Sequence, residues 1–334
     1  MGKNTRQSTF ARPILHGMAV SVIAVGAIAF FSERALATEG GASLYLLGSG
    51  GPGTAVMPPV EGVYVDNVTY VYDGSAKASH EFPVNGNIVA GLDATIVADF
   101  PTLLAVPSTK FLGGTLAVGA TLPFGAPILD VDAILTRPGG PSMSGSRHDS
   151  ALTTGDPVGL VMLGWHGKKL HTQISSMVNV PIGNYREGKL ANLSLHRWAV
   201  DTSVALSWHD ADSGWDLTAK AGYTFNGRNK DTDYNSGDEI HFEGAIEKAL
   251  SPAFSLGVQS YYAKQISDDN GLIGPFRGEV VAVGGTLAYT TTMARVPATF
   301  RGRVMRELDA TNRLKGTSFW LDFSVPFVMN LPKQ

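Results

Sequence analysis

A nucleophile, a base and a carboxylate stand together at Ser144, Ser146, His148 and Asp149. Such residues catalyse acyl transfer only when a rigid fold holds them in a hydrogen-bonded relay, which neighbours on one short stretch do not achieve. Neither a G-x-S-x-G elbow nor an H-x-x-x-H pair occurs, so serine and metal hydrolysis lack their usual frames. Gly48-Ser49-Gly50-Gly51-Pro52-Gly53 fits the phosphate-cradling pattern G-x-G-x-x-G. Thr54–Val60, with Pro58-Pro59, cannot supply the helix N-terminus that would receive a pyrophosphate. Asp231-Thr232-Asp233-Tyr234-Asn235 opens like a calcium loop, but Ser236 and Phe242 stand where that loop needs Gly and Glu. A looser divalent-ion site on Asp231, Asp233, Asp238 and Glu239 is the lesser alternative to a turn capped by Asx hydrogen bonds. The chain has no cysteine, which removes thiolate chemistry and disulfides. No cofactor, no metal site and no enzymatic activity are expected.

Most of the remaining strand polar residues gather on one parity, with Lys248 and Arg306 breaking it near strand ends, where the cost of facing lipid fades. Those on the shared parity are Asp93, Asp99, His171, Gln173, Asn179, Asp201, Lys220, Glu243, Glu247, Gln259, Arg301, Arg303 and Asp322, with the aromatics Tyr261 and Trp320 beside them. Charges facing lipid cost a few kcal/mol at midplane, so this grouping reads as the interior of a barrel. From it, Asp93, His171, Asp201, Lys220, Glu243, Tyr261, Arg301, Arg303, Trp320 and Asp322 are the candidates to line a solute path. Antiparallel register would bring Lys220 near Glu243, first as a solvated ion pair and only second as a selectivity element.

The elements that must position these groups are strands. Thr317, Phe319, Leu321, Phe323, Val325 and Phe327 alternate with Gly316, Ser318, Trp320, Asp322 and Ser324, which puts the two sets on opposite faces. Trp198 and Trp208 bracket one apolar face, and Trp215 and Phe225 the next. Ten residues at about 3.3 Å, tilted by about 40°, rise roughly 25 Å, the height of an outer-membrane apolar band. The pattern predicts an all-β, transmembrane, antiparallel up-and-down barrel of twelve strands. These fall at about 60–74, 85–100, 111–124, 156–167, 169–182, 197–209, 214–226, 237–250, 253–264, 277–291, 297–309 and 314–327. A turn is expected near Thr102–Lys110 and a long loop over 125–155, folding over or into the mouth; a hairpin at Pro127–Thr136 would raise the count to fourteen.

Lys3, Arg6 and Arg12, an apolar run from Ile14 to Phe31 and Ala35-Leu36-Ala37 follow the order of a cleaved secretory signal over residues 1–37. Residues 38–59, rich in Gly and Pro, form a separate segment available to fill the lumen, and 60–328 form the barrel. The net charge is -3 with no basic block, so nucleic acid is not an expected partner. Hydrophobic residues make up 44% and charged residues 16%, below the charge of a typical soluble domain.

Several stretches carry a family resemblance: Thr38-Glu39-Gly40-Gly41-Ala42, Met57-Pro58-Pro59, Asn184-Tyr185 with Ala191-Asn192-Leu193 and Trp198, Thr232-Asp233-Tyr234 with Ser236-Gly237-Asp238-Glu239, and Tyr261-Tyr262 with Gln265 and Asp268-Asp269. They resemble the outer-membrane family named for the meta-pathway of phenol degradation, most closely after about residue 155. The resemblance implies a channel or transporter for small apolar or aromatic compounds in the outer membrane of a Gram-negative bacterium. Outer-membrane lipid and lipopolysaccharide would be its surroundings. A barrel enzyme acting on membrane lipid and a structural or adhesive barrel are the competing readings. The polar parity implies passage along a wetted wall.

Overall fold

The computed structural model describes residues 41–137, 140–270, 277–293 and 296–329, all within a compact unit that spans 34–334. The expected signal segment lies outside the described residues. Eighteen strands follow in chain order: β1 (Gly62–Val84), β2 (Asn87–Phe111), β3 (Gly114–Thr121), β4 (Phe124–Arg137), β5 (Gly140–Ser144), β6 (Arg147–Ser150), β7 (Thr153–Thr154), β8 (Val158–His166) and β9 (Leu170–Asn179), then β10 (Ala199–Asp210), β11 (Trp215–Asn226), β12 (Arg228–Asn229), β13 (Tyr234–Asn235), β14 (Glu239–Ala249), β15 (Phe254–Gln265), β16 (Glu279–Met293), β17 (Val296–Thr311) and β18 (Lys315–Met329). All but β12 and β13 belong to one antiparallel sheet, which closes because β1 pairs with both β2 and β18.

Two wall positions are interrupted strands. β2 pairs with β3 through Thr102–Phe111 and with β4 through Ile88–Asp99. β3 and β4, split at Leu122-Pro123, therefore share one position, and β5 to β8 share the next. The wall is thus a closed barrel of twelve strands, the count expected from the alternation. The break at Pro123 follows from its missing N–H, which cannot donate to a ladder.

Three local expectations are corrected. Residues 125–155 are not a long loop: β4 through β7 extend the wall there, with Ile128–Val131 paired to Arg147–Ser150. No turn occurs at Thr102–Lys110, since β2 runs unbroken to Phe111 and turns at Leu112-Gly113, both with positive φ. The first hairpin turns at Asn85-Gly86, again with positive φ at both residues, the type I′ geometry that Asn-Gly favours. β1 and β2 therefore extend well beyond the other strands. Their inner faces form an apolar core of Phe82, Val84, Val89, Leu92 and Ala94 with Leu129, Val131 and Ile134, capped by Leu190 and Ala191.

Elsewhere the alternation sorts the faces as expected. Trp198, Val204, Leu206, Trp208, Trp215, Leu217 and Phe225 point outward and are exposed, while Asp201, Ser203, Ser207, Asp216, Thr218 and Thr224 are buried. The ends of the wall at Gly62 and Met329 are paired to each other and mark one rim, here the terminal rim. The turns at 112–113, 167–169, 211–214 and 250–253 share that rim, and the longer segments 180–198 and 227–238 lie at the far rim.

Candidate functional site

The interior is occupied by residues 41–57, which lie against inward side chains from the far rim down to the terminal rim. At the far rim the Arg197 guanidinium donates to the Ala42 carbonyl at 3.0 Å. Ser43 donates to Glu239 at 2.9 Å, and Arg313 pairs with the same carboxylate at 2.9 Å. Halfway down, the Gly48 and Gly50 N–H groups donate to the two oxygens of Glu243 at 2.8 and 2.7 Å. Gln259 donates to the Gly48 carbonyl at 2.7 Å, and Arg303 donates to it as well. Lower, Gly53 N–H meets Asp216 at 3.0 Å and Ala55 N–H meets Ser207 at 3.1 Å. Gln173 reaches the Thr54 carbonyl at 2.9 Å, and Met57 packs with Val106 and Ala117.

Glycine is required at the centre of this clamp. Gly48 has φ +100, and a Cβ on Gly50 would fall 2.7 Å from Glu243 Oε2. The G-x-G-x-x-G string thus serves close approach to buried charges, with its backbone amides given to a carboxylate of the wall. Tyr45 adds a stacked contact on His241, with centroids 3.7 Å apart, and the Lys220 ammonium lies 4.4 Å from the Tyr45 centroid.

Most of the expected site residues come together here. Lys220 and Glu243 are directly opposite in register, but Lys220 faces the Tyr45 ring and Glu243 takes the two amides. Asp201 is buried and accepts from Ser203 at 2.7 Å, Thr224 at 2.7 Å and His241 Nε2 at 2.9 Å. Ser203, His241 and Asp201 do not make a hydrolytic relay. The carboxylate takes the same imidazole nitrogen that a serine would need, and the serine proton goes to the carboxylate. Arg301 pairs with Glu247 and donates to Thr286 at 2.9 Å. Arg303 pairs with Asp322 and lies 4.4 Å over the Trp320 ring. His171 sits apart, at the terminal rim.

Asp93 and Asp99 are corrections. On β2 the even residues Leu92, Ala94 and Ala98 are buried, while Asp93 is exposed. Asp99 accepts from Asn67 at 3.2 Å and Thr69 at 2.6 Å on the same outward face. The rule that polar residues face inward fails at these two positions because the inner face of β2 there is taken by Leu92, Ala94 and Ala98. Nor do Asp231, Asp233, Asp238 and Glu239 converge. They bind His196, Arg228, Tyr223 and Arg313 respectively, and among the described residues no group of three such side chains is placed around a metal.

The apolar half of the interior went unread in the sequence. A cavity of about 340 Å³ lies between residues 41–49 and the wall. Leu44, Leu47, Val68, Tyr70, Ile96, Phe100, Leu160, Met177, Leu193 and Trp320 supply its apolar surface. Polar groups interrupt it at Asp156, Asn179 and Arg313 and at Glu307, which accepts from Tyr72 at 2.9 Å, Tyr261 at 3.0 Å and Gly316 N–H at 2.6 Å. The Tyr70 and Trp320 rings meet edge to face with centroids 4.8 Å apart. The segment is thus bonded by β9, β10, β11, β14, β15 and β17, while β1, β2 and β8, with Met177 and Trp320, leave apolar space beside it. The alternation Tyr70-x-Tyr72 was the available signal for this apolar side.

A family model described as "Putative MetA-pathway of phenol degradation" matches residues 80–323, well over half of the chain. Among solved structures, the COG4313 outer membrane channel from Pseudomonas putida F1 aligns with a TM-score of 0.64 at 18% identity, covering 83% of this chain and 99% of that one. At that identity the likeness shows a shared fold, that of an outer-membrane β-barrel. A monoaromatic hydrocarbon channel, CymD, aligns at 0.42 with 8% identity over 83% of this chain and 91% of that one. A Pseudomonas aeruginosa FadL homologue aligns at 0.41 with 9% identity over 90% and 100%. No curated protein sequence matches.

Proposed function

We propose that this chain, which belongs to the phenol-degradation family just described, is an outer-membrane channel through which small apolar or aromatic compounds pass, with residues 38–59 as its lumen plug. The carrying observation is the apolar cavity inside the wall. A volume of about 340 Å³ falls in the range of small-molecule sites, and an engineered apolar cavity of about 150 Å³ already holds benzene. Tyr70, Phe100 and Trp320 offer ring faces and edges, and the Glu307 and tyrosine pole offers hydrogen bonding to a single polar substituent. The wetted path expected from the polar parity is thereby moved: the polar wall holds the plug, and the solute lies against the apolar wall.

In this reading the terminal rim faces the periplasm, and the outward apolar side chains contact lipid of the Gram-negative outer membrane, with lipopolysaccharide on its outer side. Lys220, Glu243 and Arg303 act on the plug directly, Asp201 through His241 and Asp322 through Arg303; Arg301 braces the wall through Glu247, and Tyr261 and Trp320 act on the solute. The test is entry of a labelled monoaromatic compound into proteoliposomes containing the protein. Faster entry than into protein-free vesicles is expected; equal rates refute the proposal.

A further inference from the structure

At the terminal rim, four ionisable side chains stand in a row across β8, β9, β10 and β11. His166 and His171 are direct cross-strand partners flanking the turn at 167–169, and their Nδ1 atoms approach to 2.9 Å. The His171 and His209 rings have centroids 6.5 Å apart. His209 Nδ1 lies 3.3 Å from Asp216 Oδ2, and these two are again direct partners. None of these groups belongs to the clamp on Gly48 or to the apolar cavity.

Two facing imidazole nitrogens at 2.9 Å can share only one proton. They are also spaced to hold one cation. With a metal–nitrogen distance of about 2.05 Å, two ligands at right angles lie about 2.9 Å apart, whereas two at the tetrahedral angle lie about 3.3 Å apart. The observed 2.9 Å is also that of an ordinary N–H···N hydrogen bond, and exposed rings reach either geometry with a small movement, so the metal class follows from the donors: for nitrogen ligands affinity peaks at Cu²⁺. The third imidazole is prepared in a complementary way. A carboxylate on Nδ1 fixes the proton there and leaves the Nε2 lone pair free, the outer-sphere arrangement that metal-binding histidines use. Among the described residues no three such groups already surround one point, so the site rests on the imidazole pair, with His209 joining by rotation of its ring.

We propose that His166 and His171 form a binding site for a divalent transition metal of the Cu²⁺ class at the terminal rim, with His209 as its additional ligand. The site is solvent-accessible: the His209 side chain is 49% exposed, and His166 is exposed as well. It lies beside Asp216, whose other oxygen holds Gly53 N–H. The metal therefore binds next to an attachment point of residues 41–57.

The experiment uses the untagged full chain in detergent, titrated with Cu²⁺ alone and followed by calorimetry and electron paramagnetic resonance. One saturable Cu²⁺ per chain is expected, with nitrogen hyperfine structure from at least two imidazoles and weaker binding of Zn²⁺. An outer-sphere partner alone is worth roughly 10- to 100-fold in metal affinity, so His166→Gln or His171→Gln costs at least about 100-fold. His209→Gln lowers affinity less, and His148→Gln, remote in the fold, leaves it unchanged. Unaltered strand content and heat-modifiable gel migration show that each variant is folded. Absence of saturable binding, or binding that survives both His166→Gln and His171→Gln, overturns the proposal.

Discussion

Glu243→Gln is the most informative single change, because one buried carboxylate holds two backbone amides of the interior segment. Glu243 is 4% exposed, and its two oxygens take Gly48 and Gly50 N–H at 2.8 and 2.7 Å. Hydrogen bonds to a charged group contribute about 1.5–3 kcal/mol each. Glutamine has nearly the same shape but keeps one acceptor, and its amide nitrogen would face a backbone N–H, donor against donor. Losing one bond and weakening the other costs about 2–4 kcal/mol. At about 1.4 kcal/mol per factor of ten, the population with the segment released rises roughly 30- to 1000-fold. Hydrogen exchange at residues 46–51 reports this directly, and entry of a labelled aromatic into proteoliposomes reports its consequence. Both should accelerate while the melting of the barrel stays unchanged. Protection at Gly48 and Gly50 within twofold of the parent, in an intact barrel, would refute the claim that this carboxylate holds the segment.

Three further outcomes are expected. Asp156, 2% exposed between β7 and β8, accepts from Asn179, Gly183 N–H, Ser194 and His196 N–H at 2.6–2.9 Å. Asp156→Ala therefore strands buried donors at about 1–3 kcal/mol each, and limited proteolysis within 183–196 should accelerate at least tenfold without a change in barrel melting. Ile96→Trp with Leu160→Trp crowds the cavity wall and should lower aromatic entry several-fold in a folded barrel; unchanged entry would place the solute elsewhere. At the far rim, burial pushes the Asp269 carboxyl up to about 7, against donors on Tyr234, Gly237 and Gln265. A carboxyl raised by folding stabilises fully below its ordinary range near 4 and loses that contribution as pH rises through about 7. Protection factors at 266–270, which remove the base-catalysed rise in intrinsic exchange, should therefore be lower at pH 8 than at pH 5.5, and Asp269→Asn should flatten that dependence.

Much of the wall is written in the sequence because each strand of a lipid-embedded barrel separates two solvents, and a period of two sorts its side chains between them. From β9 through β18 the outward Trp, Leu, Val and Phe and the inward Asp, Glu, Arg and Gln follow from parity alone, as does the count of twelve. The Lys220 and Glu243 register follows as well. Parity misled at Asp93 and Asp99, because the inner face of β2 carries Leu92, Ala94 and Ala98 there and leaves the two aspartates outside. The Asn85-Gly86 and Leu112-Gly113 turns were present as local signals, and they set the length of those two strands. What packs inside was not local at all. Glu243 and Gly48 are bonded across 195 residues, and the cavity exists only because Leu44 and Leu47 are held opposite Ile96, Phe100 and Leu160. Alternation assigns a side chain to a face; only closure of the barrel around residues 41–57 determines what that face meets.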